Sequence, residues 1–239
     1  MPYFINFPEV AYKFGNESTF NAIENIASYV DVIDSIKDQS SFYIKYTILD
    51  GERPDILSEK IYGTSRYYWT FYAMNDNIRR QGWPLPYSDL LAKAQFDYPN
   101  TTVVTRSLIF DKFEVGDTVS GNTSGAQGTI LRRNLDLGQI IVKVTNNKSF
   151  QDSEIITDGT DTVTVQSSSA EHLSAHHYEN SDGIVVDIDP ENGPGGLLTE
   201  VTYLDKYIEA NDNLKEIRVI KPENINQVAR VFKEALTSA

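Results

Sequence analysis

The feature that most constrains the fold is an abrupt change of pattern in the middle of the chain. Residues 108–169 are rich in Gly, Thr, Ser and Val with period-two patterning, while the stretches on either side mix helix and strand signals. A period of two sends successive side chains to opposite faces of a strand. Several short strands at this spacing predict a small barrel or sandwich. Within the stretch, Phe113-Glu-Val-Gly-Asp-Thr-Val-Ser-Gly121 and Phe150-Gln-Asp-Ser-Glu-Ile-Ile-Thr-Asp158 form a weak internal echo. Gln139 to Val144 reads as a further strand after the turn Asp136-Leu-Gly138. The fold class is α+β, with an arm over 1–41, a core over 42–107, a small β-module over 108–169, and a mixed segment over 170–239.

The core is readable residue by residue. Phe42 to Leu49 is β-branched and aromatic and closes on Asp50-Gly51, so it predicts a strand and a turn. Pro54 suits the first turn of a helix, where its missing N–H costs nothing. Leu57 and Ile61 share a face, and Gly63 supplies a left-handed stop. Thr64 or Ser65 caps a second helix, Arg66 to about Asn75, on which Tyr68, Phe71 and Tyr72 share a face. Asn75-Asp-Asn77 is expected to end it, and a short strand is expected near residues 84–87. Towards the end, Glu216 to Lys221 predicts a strand and Pro222 the switch to a helix. There Ile225, Val228, Ala229, Phe232, Ala235 and Leu236 make an amphipathic stripe, expected to find its partner within the chain.

Composition excludes several function classes. The chain has 239 residues, no cysteine, and 34 acidic against 21 basic side chains, a formal charge of −13. Such a charge opposes non-specific binding to nucleic acid, which relies on basic groups displacing counterions. Without cysteine there are no disulfides, thiolate catalysis or cysteine-held zinc. No apolar run approaches the roughly 20 residues of a membrane span. No basic residue precedes Lys13, so the opening is not expected to act as a secretory signal. At 40% hydrophobic residues the chain can build one or two ordinary cores.

Candidate chemistry is thin. His172 and His176 are four apart and on a helix would share a face, with Glu171 and Glu179 near; the turn formers around Tyr178, Asn180, Asp182 and Gly183 favour a loop or strand edge. Ser174 lies beside His172, His176 and His177 without the framing of a catalytic triad. Asp182, Asp187, Asp189 and Glu191 lack the spacing of a calcium loop. Gly121-Asn-Thr-Ser-Gly125 resembles a phosphate cradle but lacks the Gly-Lys-Ser/Thr ending and a following helix. The cluster Tyr67, Tyr68, Trp69, Phe71 and Tyr72 could serve as a sugar platform; helical spacing favours core plus an interface. No catalytic constellation, metal or cofactor is expected.

The same residues carry a resemblance. Asp50-Gly-Glu-Arg-Pro-Asp-Ile-Leu-Ser-Glu-Lys-Ile-Tyr-Gly63, Tyr68-Trp69, Asn75-Asp-Asn77 and Gly82-Trp83-Pro84 resemble the signature of the baseplate wedge protein 53 family of contractile-tailed bacteriophages. Tyr3-Phe4-Ile5-Asn6-Phe7-Pro8, His176-His-Tyr-Glu179 and Leu214-Lys-Glu-Ile-Arg-Val-Ile-Lys-Pro222 are similar to it in the same order. The resemblance implies a non-enzymatic virion component, assembled in the host cytoplasm and placed in the tail baseplate as six copies around the hub. Its implied partners are the other wedge proteins, which it clamps together, and the sheath initiator. The central unit is similar to a LysM domain, a strand–helix–helix–strand fold that elsewhere binds N-acetylglucosamine polymers. The alternative function is therefore a carbohydrate (peptidoglycan) binding module. Tyr67, Trp69, Tyr72, Trp83 and Phe232 are the expected contact residues. Residues 108–169 depart from the shortest family members and resemble small β-modules of phage structural proteins. The chain then reads as one domain interrupted by another, with the module expected to project and touch a neighbouring baseplate protein.

Overall fold

The computed structural model describes residues 9–15, 19–24, 37 and 39–238. The opening motif Tyr3 to Pro8 lies outside them, as does the side chain of Leu236. Two compact units emerge, one from Met1–Tyr87 with Asn211–Ala239 and one from Ser88–Ala210.

The first unit begins with a hairpin, β1 (Glu9–Tyr12) against β2 (Asn21–Glu24), in which Val10 faces Ile23. Its central sheet pairs β3 (Tyr43–Thr47) antiparallel with β13 (Glu216–Ile220), so that Tyr46 meets Ile217 and Ile44 meets Val219. Helix α1 (Pro54–Tyr62) starts on its proline and stops at Gly63, whose φ of 70° lets its N–H reach the carbonyl of Glu59 at 2.9 Å. A Cβ in that left-handed conformation is disfavoured, so glycine belongs there. Thr64 then caps a 3₁₀ turn, Ser65–Tyr67, by accepting from the N–H of Arg66.

The helix expected from Arg66 to about Asn75 is the end of that turn followed by α2 (Trp69–Met74), and a further helix that was not expected, α3 (Asp76–Gln81), comes directly after it. The backbone leaves the helix at Asn75 (φ −129°) and resumes at once. The side chain of Asn75 makes this possible. Its Nδ2 donates to the carbonyls of Phe71 and Arg218, both at 2.8 Å, and its Oδ1 accepts from the N–H of Arg218 at 2.7 Å. One buried amide thus stitches the helix break to β13. The strand expected near residues 84–87 is not formed. Leu85 spends its backbone N–H and carbonyl on the side chain of Asn211, at 2.8 and 3.1 Å, so an amide takes the place of a neighbouring strand.

Two apolar clusters hold the unit. One joins Ile48, Leu57, Phe71, Ile78, Leu214, Ile217 and Val219. The other joins Met74 and Ile220 to Ile225, Val228 and Phe232 of helix α6 (Ile225–Ser238), so the amphipathic stripe finds its partner inside the chain. Each such side chain contributes about 1.5–3 kcal/mol on burial.

In the second unit, α4 (Tyr87–Asp97) leads to six antiparallel strands: β4 (Thr101–Thr105), β5 (Thr118–Gly121), β6 (Gln127–Asn134), β7 (Gln139–Val144), β8 (Ile155–Thr157) and β9 (Thr162–Ala170). They form a closed barrel in the order β4-β7-β6-β5-β8-β9. The barrel is wider in sequence than residues 108–169, because β4 is the strand that bridges β7 and β9. Without it two edges would stay unpaired. The internal echo has a structural meaning. Phe113 and Phe150, and Val119 and Ile156, all point into the barrel core, and β5 pairs with β8. After a 3₁₀ turn (Glu171–Leu173), β10 (Ala175–Glu179) is flanked by β11 (Val185–Val186) and β12 (Thr199–Thr202), and α5 (Tyr203–Lys215) follows. The protein is α+β with a small all-β barrel. Among the described residues no helix is long and apolar enough to cross a membrane.

Candidate interaction surface

The five expected contact residues lie in the first unit, where they hold its helices to each other and to the strands. Trp69 opens α2 and lies face to face with Phe232 of α6, ring centroids 4.6 Å apart and planes 29° from parallel. Tyr67 donates its hydroxyl to Asn226 Oδ1 at 2.7 Å. Trp83 packs against Phe71 at 5.9 Å and Tyr72 at 5.8 Å, and its indole N–H donates to the carbonyl of Glu52 at 2.6 Å. Burial pushes the Tyr72 hydroxyl pKa up, with the charge of Tyr68 adding to it. Phe232 is buried, while Tyr67, Trp69, Tyr72 and Trp83 are half-buried and keep one rim exposed. Trp69 gives one ring face to Phe232, Tyr67 meets Tyr62 edge-on at 5.7 Å, and Tyr72 meets Trp83 at a tilt of 53°.

Sequence reasoning did not find the hairpin of β1 and β2. Val10, Tyr12, Phe14, Phe20 and Ile23 are all exposed on or beside it, and Phe14 packs edge-on to Tyr12 at 5.0 Å. Pairing and alternation place Val10, Tyr12 and Ile23 on one face. A two-stranded hairpin is marginal by itself. The alternation of Val10 and Tyr12 was the available signal, too short to read alone.

The histidines of the second unit do not form the helical pair considered above. His172 is buried in the 3₁₀ turn, whereas His176 and His177 lie on β10. There the pairing with β12 shifts by one residue, a bulge that lets adjacent side chains meet. Their Nδ1 atoms are 2.8 Å apart, and His177 Nε2 is 2.8 Å from Glu179 Oε1. Burial lowers the pKa of His176, and the charges of His177 and Lys206 lower it further. Among the described residues no three His, Cys, Asp or Glu side chains converge as a metal site. Ser174 is buried; its hydroxyl donates to the carbonyl of Glu171 at 2.8 Å and accepts from that of Thr102 at 3.0 Å. Asp189 accepts from the N–H of Glu191 at 3.0 Å and from the side chain of Asn192, which makes this run a turn.

The loop Gly121–Gly125 does cradle an anion, and the anion is internal. Glu154 accepts from the N–H groups of Thr123 (3.2 Å), Ser124 (2.9 Å) and Gln151 (2.7 Å), and from the Ser124 hydroxyl (2.9 Å). A Cβ on Gly121 would sit 2.6 Å from the Glu154 carboxylate, so the glycine makes room for it. The other buried carboxylate, Glu171, pairs with Arg132 and accepts from the side chain of Asn100 at 2.8 Å. Arg132 in turn lies over the rings of Tyr98 and Tyr203. No signal in the sequence links these distant residues.

Compared with known proteins, the chain matches no family model and no curated protein.

Proposed function

We propose that this chain is a structural component of a contractile phage tail: a baseplate wedge protein that clamps neighbouring wedge proteins and supports six-fold closure around the hub. The observation that carries the reading is how its motifs meet. Leu57 from the first motif, Trp83 from the Gly82-Trp83-Pro84 motif, and Leu214, Ile217 and Val219 from the last pack into one cluster. These three segments therefore share one core, whereas His176-His-Tyr-Glu179 lies in the second unit. The connectivity of that core, strand, helices, then a strand antiparallel to the first, supports reading it as a LysM-like unit whose closing strand is β13, which follows the second unit in sequence. The exposed apolar hairpin fits a clamp, because such a hairpin gains stability from a partner. Asymmetric contacts repeated by rotation close a ring, as a six-copy baseplate requires.

The test is to count this chain in tail particles purified from the phage that carries its gene. Six copies per baseplate support the proposal; absence from the particle overturns it. Saturable binding of chitin or peptidoglycan fragments by the purified chain, with no copy in the tail, would establish the glycan-binding alternative.

A further inference from the structure

The barrel carries a loop built to present an aromatic side chain. Residues 106–117 join β4 to β5, and Ile109 and Phe113 are both buried in the barrel core. Between these two anchors Phe110 is 78% exposed, with Leu108 at 57% and Val115 at 61% beside it. The loop is held at several points. Arg133 Nη1 donates to the carbonyls of Ile109 (3.0 Å), Phe110 (3.5 Å) and Lys112. Asp158 accepts from the N–H of Phe113 at 3.3 Å, and the N–H of Gly116 donates to Ile130 at 2.8 Å. Phe113 itself sits at φ 56°, a conformation such anchoring must hold. A loop fixed in this way loses little freedom on docking, which favours affinity. Folding gains nothing from the outward ring of Phe110, whereas aromatic side chains dominate binding hot spots.

The charges around the ring indicate what it meets. Asp111, Glu114 and Asp117 are exposed, while the loop's bases, Arg106 and Lys112, are half-buried and Arg133 is spent on carbonyls. A second copy would bring the same acidic rim, on a chain whose formal charge is −13. We propose that the 106–117 loop is a docking knob for a different protein, whose site is an apolar pocket for Phe110 rimmed by Lys or Arg. This concerns the barrel alone and stands whether or not the partner is a tail protein.

The experiment places the photo-crosslinker benzoylphenylalanine at Leu108 of the full-length chain, irradiates extract of the cell that makes it, and maps the adducts by mass spectrometry. The expected adducts fall on a segment of another protein where apolar residues are flanked by Lys or Arg. Raised salt weakens them by screening the rim. Phe110→Asp and the uncharged Phe110→Ala each cut their yield about tenfold, as loss of a hot spot should. Thermal melting of both variants tracks the parent, because Phe110 contributes no burial. Adducts on a second copy of this chain, adducts on a segment without basic residues, a yield indifferent to both substitutions, or no adduct at all would overturn the proposal. None of these outcomes bears on whether the first unit sits in a baseplate wedge.

Discussion

The two units solve the problem of building a core in opposite ways. The barrel core is aliphatic apart from Phe113 and Phe150, and its strands follow one another within residues 101–170. The Glu154 carboxylate is bonded to amides of two turns within that same stretch, at Ser124 and Gln151. The first unit draws its core from residues 42–83 and 214–232, and rings of Tyr, Trp and Phe surround its aliphatic centre. Each Tyr or Trp ring that packs there brings a polar tip to be satisfied. Tyr62 donates to the carbonyl of Ile220 at 2.9 Å, and Tyr46 to Glu52 at 2.9 Å. The contrast teaches that the barrel is a local structure and the first unit a long-range one. Closing the first unit must hold together segments separated by the whole second unit.

Substitutions can break or sharpen that contrast. Phe71 is fully buried in the first unit, so Phe71→Ala should cost about 3–5 kcal/mol and remove that unit's calorimetric transition. The barrel transition should survive; if both collapse together, the two cores are not separate. Glu154→Gln should act on the barrel alone, at about 1.5–3 kcal/mol, because the substitution removes a charged acceptor from the amides of Thr123, Ser124 and Gln151.

The same carboxylate makes the barrel acid-sensitive. Burial alone would raise the pKa of Glu154, but the amides of Ser124, Gln151 and Thr123 and the Ser124 hydroxyl outweigh it and hold the pKa below 4.5. A depressed folded pKa gives stability that is complete above the unfolded value and is lost as pH falls through the folded one. The barrel's melting midpoint should drop as pH falls below the ordinary range of a glutamate carboxyl, and less steeply in Glu154→Gln. Asp158, shifted in the same direction, keeps some dependence in the variant. Gly63→Ala should cost the first unit about 1 kcal/mol through its left-handed backbone. The smallest effect belongs to Arg53→Ala. Its pair with Asp55 is exposed, and the melting midpoint should move by less than a change of about 0.5 kcal/mol implies.

What the sequence makes legible follows the same division. Pro54, Gly63 and the β-branched run from Gln139 to Val144 are signals within a few residues, and the corresponding helix and strand form where they point. The break at Asn75 is legible, but not the resumption at Asp76, because the bonds that permit it run to Arg218. The strand expected near residue 84 misleads for a similar reason, since the partner of Leu85 is the side chain of Asn211. The anion held by Gly121–Gly125 was invisible because a carboxylate 29 positions past the loop (Glu154 from Gly125) fills a site that otherwise resembles one for phosphate. Aromatic content marks the contact-rich segments. It does not separate rings that cement a core from rings that meet a partner, and Trp69 with Phe232 does the former with one face.

Hydrogen exchange on the full chain tests most directly whether residues 43–83 and 214–232 form one unit interrupted by another. Ile217 is buried on β13 opposite Tyr46, so Ile217→Ala should speed exchange in Tyr43–Thr47 and Pro54–Tyr62 together with Glu216–Ile220. The barrel strands should keep their protection unchanged. Exchange that rises in β13 alone, or rises equally in the barrel, would contradict the account.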